Sequence, residues 1–281
     1  MIITVLIDNL PHPDKKLTAE HGLSLYFEAD GYNWLFDTGN SVIFAENAEK
    51  LGIDLGTIDY LILSHGHHDH TGGLATFAKI NTKAKIFLSA EIRNSLFFSL
   101  RHKRKKDISP DHALLKTLSE RLIWIHYNTP ITDNVSIVNH IPIIYPVPKG
   151  NKKLLRAVDG NEEPDYFNHE IALTVRQPEG LVVFSGCSHK GLLNILHACS
   201  QEFEHIPVLA CIGGTHLLDS DADEAYETDL EIAQIGKSIL QNYPQMQLIT
   251  GHCTGSLAKK ILADTLGENF QTFYTGYSVK I

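Results

Sequence analysis

The chain has 281 residues, 43% hydrophobic and 20% charged, with a formal net charge of −9 at pH 7, enough to bury a sizeable core in one large α/β domain or two small ones. That acidic balance argues against nucleic acid as a partner, because such binding runs on clustered cations. No segment approaches bilayer-spanning length, and the start of the chain has no basic leader region and reads as a strand, so no membrane is expected. Met1 to Asp8, Leu23 to Glu28 and Trp34 to Phe36 have the apolar patterning of strands, the last two joined by a hairpin-like turn at Ala29-Asp30-Gly31-Tyr32. Ser41 to Leu51 has helical spacing with Asn40 or Ser41 as a cap. A buried strand at Tyr60 to Leu63, a short helix at Gly73 to Lys79 and a strand at Ala84 to Leu88 follow. From Glu91 to Glu120 the pattern weakens around the basic run Arg101 to Lys106, which reads as a surface insertion. Strands resume at Leu122 to His126, Val135 to Asn139 and Ile141 to Val147, then a polar excursion covers Lys149 to Asn168. Ile171 to Val175 and Leu181 to Phe184 form a strand pair. The last third alternates helix and strand: Gly191 to Ser200, Val208 to Ile212, a long helix Asp223 to Asn242, Gln245 to Thr250, Ser256 to Ala263, and a final strand pair around Phe273 to Val279.

The segment Leu63-Ser64-His65-Gly66-His67-His68-Asp69-His70-Thr71-Gly72-Gly73-Leu74 concentrates the chemistry. Imidazole and carboxylate are costly to bury without partners, and no helix or strand period turns all of these side chains inward together. They are, however, good ligands for zinc, iron and manganese. Strand residues two apart point the same way, so His65 and His67 can grip one ion while Asp69 and His70 reach a second. Those four leave the ions under-coordinated, so further ligands must come from distant loops. The four cysteines, Cys187, Cys199, Cys211 and Cys253, form no CxxC pair, which suits a reducing cytoplasm; Cys199 and Cys211 read as packing. His216 follows the strand Val208 to Ile212 at the edge where ligands of α/β sheets gather, and is a candidate substrate contact as well as an ordinary loop residue.

His65-x-His67-x-Asp69-His70 before Thr71-Gly72-Gly73-Leu74 resembles the metal motif of the metallo-β-lactamase superfamily. Trp34-Leu35-Phe36-Asp37-Thr38-Gly39, Val183-Phe184-Ser185-Gly186-Cys187-Ser188-His189 and Ile249-Thr250-Gly251-His252-Cys253-Thr254-Gly255 follow the same family's order. The Gly-Cys-Ser-His and Gly213-Gly214-Thr215-His216-Leu217 pieces resemble a dihydropterin synthase-like subfamily of metal-dependent hydrolases. The resemblance implies a four-layer αββα sandwich; with no interdomain linker visible, residues 1–281 read as a single domain, with the insertion at about 91–120. It implies one or two divalent metal ions, zinc first, with iron and manganese as alternatives. Asp69 is then both a ligand and the catalytic residue that orients or deprotonates water. His252 matches the last metal ligand, and His169 stands where another is expected. Asp37 resembles a carboxylate that braces the metal-motif loop. Where the family carries a bridging aspartate this chain has Gly186-Cys187-Ser188-His189, so His189, Cys187 or Asp69 alone takes over, with His189 ranked first. The implied activity is hydrolysis by a metal-bound hydroxide of a small-molecule phosphoester, pterin-like or nucleotide-like. Two alternatives stay open on the same fold: an iron-binding redox or oxygen-sensing protein, and an RNA-processing nuclease. A homo-oligomer is left open.

Overall fold

The computed structural model describes residues 1–281 apart from residue 15, residues 102–103 and residues 222–223. Ile2–Ile7, Ser24–Ala29 and Tyr32–Phe36 form an antiparallel meander. The last two are joined at Asp30 and Gly31, whose positive φ values of 53° and 75° fit the mirror-image turn that matches strand twist. Tyr60–Ile62, Lys85–Ser89 and Leu122–Ile125 then add in parallel. Ser278–Lys280 closes the other edge of this seven-stranded sheet against Ile2–Ile7. A second seven-stranded sheet begins with Thr129–Pro130, Val135–Val138, Ala172–Gln177 and Gly180–Phe184, and continues in parallel through Val208–Gly213, Gln247–Thr250 and Phe270–Thr272.

The sheets pack face to face. Val5, Phe27, Trp34 and Phe36 from one share a buried cluster with Ile137, Val175, Phe184 and Ile212 from the other. Phe27 stacks on Phe184 with ring centroids 4.4 Å apart. Helices Ile43–Lys50 and Leu74–Ile80 cover the outer face of the first sheet through Phe44, Ala48 and Phe77. Leu192–Glu202, Asp229–Asn242 and Ser256–Leu266 cover the second through Ile195, Ile232, Ile239 and Leu262. The result is the αββα sandwich expected from the sequence. Among the described residues no helix is long and apolar enough to cross a membrane.

Four departures from the sequence expectations have physical reasons. Segment 91–120 is not simply irregular: Ser95–Arg101 and Arg104–Asp107 join Leu154–Val158 and Asn161–Pro164, from the polar excursion, in a four-stranded sheet. In the basic run, His102 and Lys103 lie outside the described residues; Lys105 pairs with Glu162 and lies 3.9 Å from the Phe98 ring centroid. Ile141 to Val147 is no strand, because Pro142 and Pro146 lack ladder donors and the Asn194 side chain takes the N–H groups of Ile144 and Tyr145. The long helix begins at Asp229, where Thr228 and Glu231 form a capping box, and its expected first residue, Asp223, lies outside the described residues. The final strands are not a pair: Phe270–Thr272 belongs to the second sheet and Ser278–Lys280 to the first.

Candidate metal centre

The loops that follow parallel strands of both sheets meet at one edge of the sandwich, where open α/β sheets gather ligands. His65, His67, Asp69 and His70 follow Tyr60–Ile62; Cys187 and His189 follow Gly180–Phe184; His216 follows Val208–Gly213; His252 follows Gln247–Thr250. His65, His67, His70, His189 and His252 are all buried. Close backbone approaches make this possible. A Cβ on Gly72 would sit 2.2 Å from the Asn40 carbonyl oxygen, and one on Gly73 2.2 Å from that of Thr38. The glycine pair therefore lets the histidine loop dock on the loop that carries Asp37. Asp37, Ser188, His216 and His252 all hold positive φ, between 47° and 61°. Such non-glycine strain costs about 1–3 kcal/mol each and persists where surrounding contacts over-determine it.

Hydrogen bonds fix the ring tautomers. Asp37 Oδ1 accepts the Ser64 N–H at 2.7 Å, and Asp37 Oδ2 accepts Ser64 Oγ at 2.7 Å and His70 Nδ1 at 2.6 Å. With its proton committed to Asp37, Ser64 Oγ accepts from His65 Nδ1 at 2.9 Å. His189 Nδ1 donates to Asn151 Oδ1 at 3.0 Å, and the amide is oriented by its own bond to the His189 carbonyl. His252 Nδ1 donates to Asn9 Oδ1 at 3.1 Å, while Asp8 Oδ1 accepts its backbone N–H. Four imidazoles thus spend Nδ1–H on an oxygen, which leaves Nε2 with a free lone pair in the neutral ring.

Those Nε2 atoms converge. His65, His67 and His189 place one ligand atom each within 4.8 Å of one another, and their Nε2 atoms are buried with no hydrogen-bond partner. Asp69, His70, Cys187 and His252 form a second such group. In it, His70 Nε2 lies 3.2 Å from Cys187 Sγ and 3.1 Å from His252 Nε2. Asp69 Oδ2 stands 3.4 Å from His252 Nε2 and 3.1 Å from His21 Nε2. Buried lone pairs pointed at one another are unfavourable without a cation between them. The donor set therefore fits one or two divalent metal ions.

Electrostatics agree. Burial, then the neighbouring His70, His67 and His169, drives His65 well below its usual range; burial and His169 push His67 down to about 3. Burial and the neighbouring His216 likewise hold His189 well down. These rings are neutral, as ligands must be. Burial alone would raise Asp69, but His70 and hydrogen bonds from His21 and His252 keep its carboxyl well below the carboxylate range. His252 is the exception: burial opposes a charge, yet Cys253 and the hydrogen bond to Asp69 outweigh it and push the imidazole up to about 9, so without a cation this ring also holds a proton on Nε2, which a metal ion would displace. Burial and Cys253 raise the Cys187 thiol.

His169 is placed differently from the others. Its Nδ1 accepts the Gly66 N–H at 3.0 Å and its Nε2 donates to Asp165 Oδ2 at 3.0 Å, so both ring nitrogens are engaged within the protein. It shares a third group with His67 and Asp165, and His67 Nε2 is 4.0 Å from the same Asp165 oxygen. His216 lies beside His189, ring centroids 4.1 Å apart, with both ring nitrogens buried and unpartnered. Sequence reasoning missed Asp165, Asn151, Asn9 and the aromatic walls Phe97 and Phe167. Phe167 stacks on His189 at 4.1 Å and Phe97 lies 4.2 Å from His169. Only Asn9 carried a signal, as a polar residue just past the first strand; the rest depend on the small sheet, whose pairing spans sixty residues or so of chain.

The sequence pattern of the Metallo-beta-lactamase superfamily matches residues 17–236. A 7,8-dihydropterin-6-methyl-4-(beta-D-ribofuranosyl)-aminobenzene-5'-phosphate synthase of Methanocaldococcus jannaschii is 29% identical over 93% of this chain and 90% of its own length. The crystal structure of Tm1679, described as a metal-dependent hydrolase of the beta-lactamase superfamily, is 30% identical and superposes with a TM-score of 0.82 over 100% of this chain and 99% of that one. The metallo-beta-lactamase fold protein YhfI from Bacillus subtilis shares the fold at 14% identity and a TM-score of 0.58, over 99% of this chain and 98% of its own. With the histidine-rich edge of a face-to-face double sheet and this match over most of its length, the chain belongs to the metallo-β-lactamase superfamily.

Proposed function

We propose that the protein is a metal-dependent hydrolase acting on a phosphoester of a small, pterin-like or nucleotide-like molecule. The observation that carries the reading is the convergence of buried, partnerless Nε2 atoms from His65, His67 and His189 beside the Asp69, His70 and His252 group. In it, His65, His67 and His189 hold one divalent ion, zinc first, and Asp69, His70 and His252 a second. A divalent cation held there supplies Lewis acidity and lowers the pKa of coordinated water toward neutrality. His169 braces the Gly66 backbone between the two first histidines rather than binding an ion, because neither of its nitrogens is free. Asp69, partly exposed and ionised, is the catalytic carboxylate: its Oδ2 lies within 3.4 Å of both His21 and His252 and would accept a hydrogen bond or a proton from the attacking water. His216, with two uncommitted ring nitrogens, is placed to donate to a phosphoryl oxygen of the substrate.

The phosphate-bearing name of the M. jannaschii relative supports this substrate class, as do the superfamily's chemistry and the cationic Arg104 to Lys106 edge. On this reading residues 1–281 act as one cytoplasmic domain with the segment near 91–120 as an insertion. Its Phe97, with Phe167 beyond the small sheet, walls the histidines. The test is metal analysis of protein purified without added metal, then a panel of phosphoesters, lactones and thioesters on that sample. Metal-dependent turnover of a phosphoester, lost on chelation and restored by zinc, is expected. Turnover of lactones or thioesters alone would replace the substrate class, and no bound metal would end the hydrolase reading. Iron chemistry is a second reading, favoured by Cys187 Sγ beside His70, since sulfur suits softer metals. Stoichiometric iron and a visible spectrum in the same sample would select it.

A further inference from the structure

His21 belongs to none of the donor groups that the described residues form, yet the fold delivers its ring to the edge of the centre. Its Nε2 stands 3.1 Å from Asp69 Oδ2, and its side chain is 63% exposed where that of Asp69 is 18% exposed. The loop that carries it is pinned on both flanks. Glu20 Oε1 accepts the N–H groups of Asn40 and Ser41, and its Oε2 accepts the Ser41 hydroxyl at 2.6 Å. The Leu23 N–H donates to the Asp69 carbonyl. A Cβ on Gly22 would stand 2.7 Å from that same oxygen, so a side chain there would push the two loops apart.

Asn9 decides which nitrogen of the ring carries the proton. Its Oδ1 accepts from the Gly22 N–H at 3.2 Å and from His252 Nδ1 at 3.1 Å, and its Nδ2 donates to the His252 carbonyl at 3.0 Å. A backbone donor on the oxygen and a backbone acceptor on the nitrogen fix the orientation of the amide. Its second N–H is left for His21 Nδ1, 3.2 Å away. An amide NH₂ only donates, so Nδ1 must accept, and the proton of the neutral ring sits on Nε2, facing Asp69. One side chain thus orients His252 and His21 alike.

Metal loading makes this bond count. Among the described residues, the imidazoles beside Asp69 Oδ2 are His21, His252 at 3.4 Å and His70 at 3.7 Å. His70 and His252 share a donor group with Asp69; their Nε2 lone pairs go to an ion held there, and neither ring then has a proton to lend the carboxylate. His21 keeps its own. We propose that His21 is a positioning residue of the metal centre: as an Nε2–H donor, set in that tautomer by Asn9, it fixes the Asp69 carboxylate once the other imidazoles are engaged. This rests on the metal-centre reading above and adds to it a partner from a loop outside the histidine motif. Ligating carboxylates are themselves hydrogen-bonded, and loss of such a partner typically costs about 10–100-fold in metal affinity.

The test uses the whole chain and three readouts. Nitrogen-15 spectra of histidine-labelled protein, with the His21 ring assigned by its disappearance in His21→Gln, report the tautomer. They are expected to show Nε2–H in the metal-free and the zinc-loaded protein alike. Competition against a zinc chelator should show His21→Ala binding zinc about tenfold or more weakly than wild type. His21→Gln, whose amide can still donate to Asp69, should recover most of that loss. The melting temperature of the metal-free protein should not move in either variant, because the ring is largely exposed. Wild-type zinc affinity in His21→Ala overturns the proposal, as does a Gln variant as weak as the Ala one. A metal-free His21→Ala protein that melts early would make His21 a prop of its loop and overturns it too. Loss of the Nε2 proton on zinc loading would make His21 a ligand, overturning the donor role while leaving the metal centre standing. A wild type that binds no zinc overturns both readings together.

Discussion

Replacing Asp37 by Asn should damage metal binding while leaving the chain folded. Asn tolerates the left-handed backbone that Asp37 adopts at φ 61°, and it is nearly isosteric, so the exchange removes little but charge and acceptors. The wild-type carboxylate accepts three bonds, from the Ser64 N–H, Ser64 Oγ and His70 Nδ1. The Asn carbonyl oxygen can keep the Ser64 N–H, but its NH₂ then faces His70 Nδ1 and Ser64 Oγ. Both must become acceptors. His70 is driven to the Nε2–H tautomer, which puts a proton where the lone pair pointed at Cys187 and His252. Ser64 Oγ, no longer committed to Asp37, ceases to fix His65 as well. Loss of such outer partners typically costs 10–100-fold in metal affinity, about 1.4–2.7 kcal/mol. Each bond to an ionised group falls from about 1.5–3 to about 0.5–1.5 kcal/mol, so the stability cost over three bonds is about 3 kcal/mol. Asp37→Ala, by contrast, leaves three buried donors unpaired at about 1–3 kcal/mol each, which approaches the whole stability of a domain. Competition of a zinc chelator against folded Asp37→Asn, with denaturant melts of the metal-free protein alongside, measures both terms. Wild-type zinc affinity in a folded Asp37→Asn variant would refute the tautomer argument.

Other expectations follow from the same geometry. His252→Ala should lower metal stoichiometry or affinity with the fold intact; full loading and unchanged turnover would return it to the role of a loop residue. His189→Ala should cost at least tenfold in metal affinity, since losing even an outer partner reaches that size, and His169→Ala should mainly lower melting temperature, because it removes the brace between Gly66 and Asp165. In the metal-free protein, His67 has its folded pKa depressed to about 3, so the unfolded chain binds more protons below pH 6.5. Stability on this account is present above pH 6.5 and lost on acidification toward 3, by about 1.4 kcal/mol per pH unit inside that window; a denaturation free energy unchanged between pH 7 and 4.5 would contradict it. Gly73→Ala should destabilise strongly, because its Cβ would strike the Thr38 carbonyl 2.2 Å away and backbone cannot yield cheaply; a thermal melt within a degree or two of wild type would show the docking of the two loops to be loose.

The parts of the site that were legible in the sequence are those written in adjacent positions. His65, His67, Asp69 and His70 announce themselves because no buried packing role suits them together, and His252 because a strand delivers it. Strand existence was likewise readable from apolar runs. Which sheet a strand joins was not: Phe270–Thr272 and Ser278–Lys280 look alike locally and end in different sheets. Ile141 to Val147 shows the opposite failure, an apolar run whose donors are taken by Asn194 rather than by a neighbouring strand. The surroundings of His169 were not legible, because the bonds from Gly66 and to Asp165 that engage its ring nitrogens appear only once the chain is folded.

The pairing of Ser278–Lys280 with Ile2–Ile7 makes the molecule slow to commit. The first sheet cannot close its edge until the last strand exists, and the Thr4 to Ser278 side-chain bond spans 274 positions. Contacts of such separation are late events in folding, since the closure of a long loop is lost in entropy before it is repaid. Until then Ile2–Ile7 offers an open, apolar strand edge to any neighbour. The same first strand leads into Asp8 and Asn9, which hold His252 in place. On the proposed metal-centre reading, a chain emerging from synthesis therefore has its histidine motif early but His252 held in place only late, and an ion captured before then would bind to a partial cage and exchange quickly.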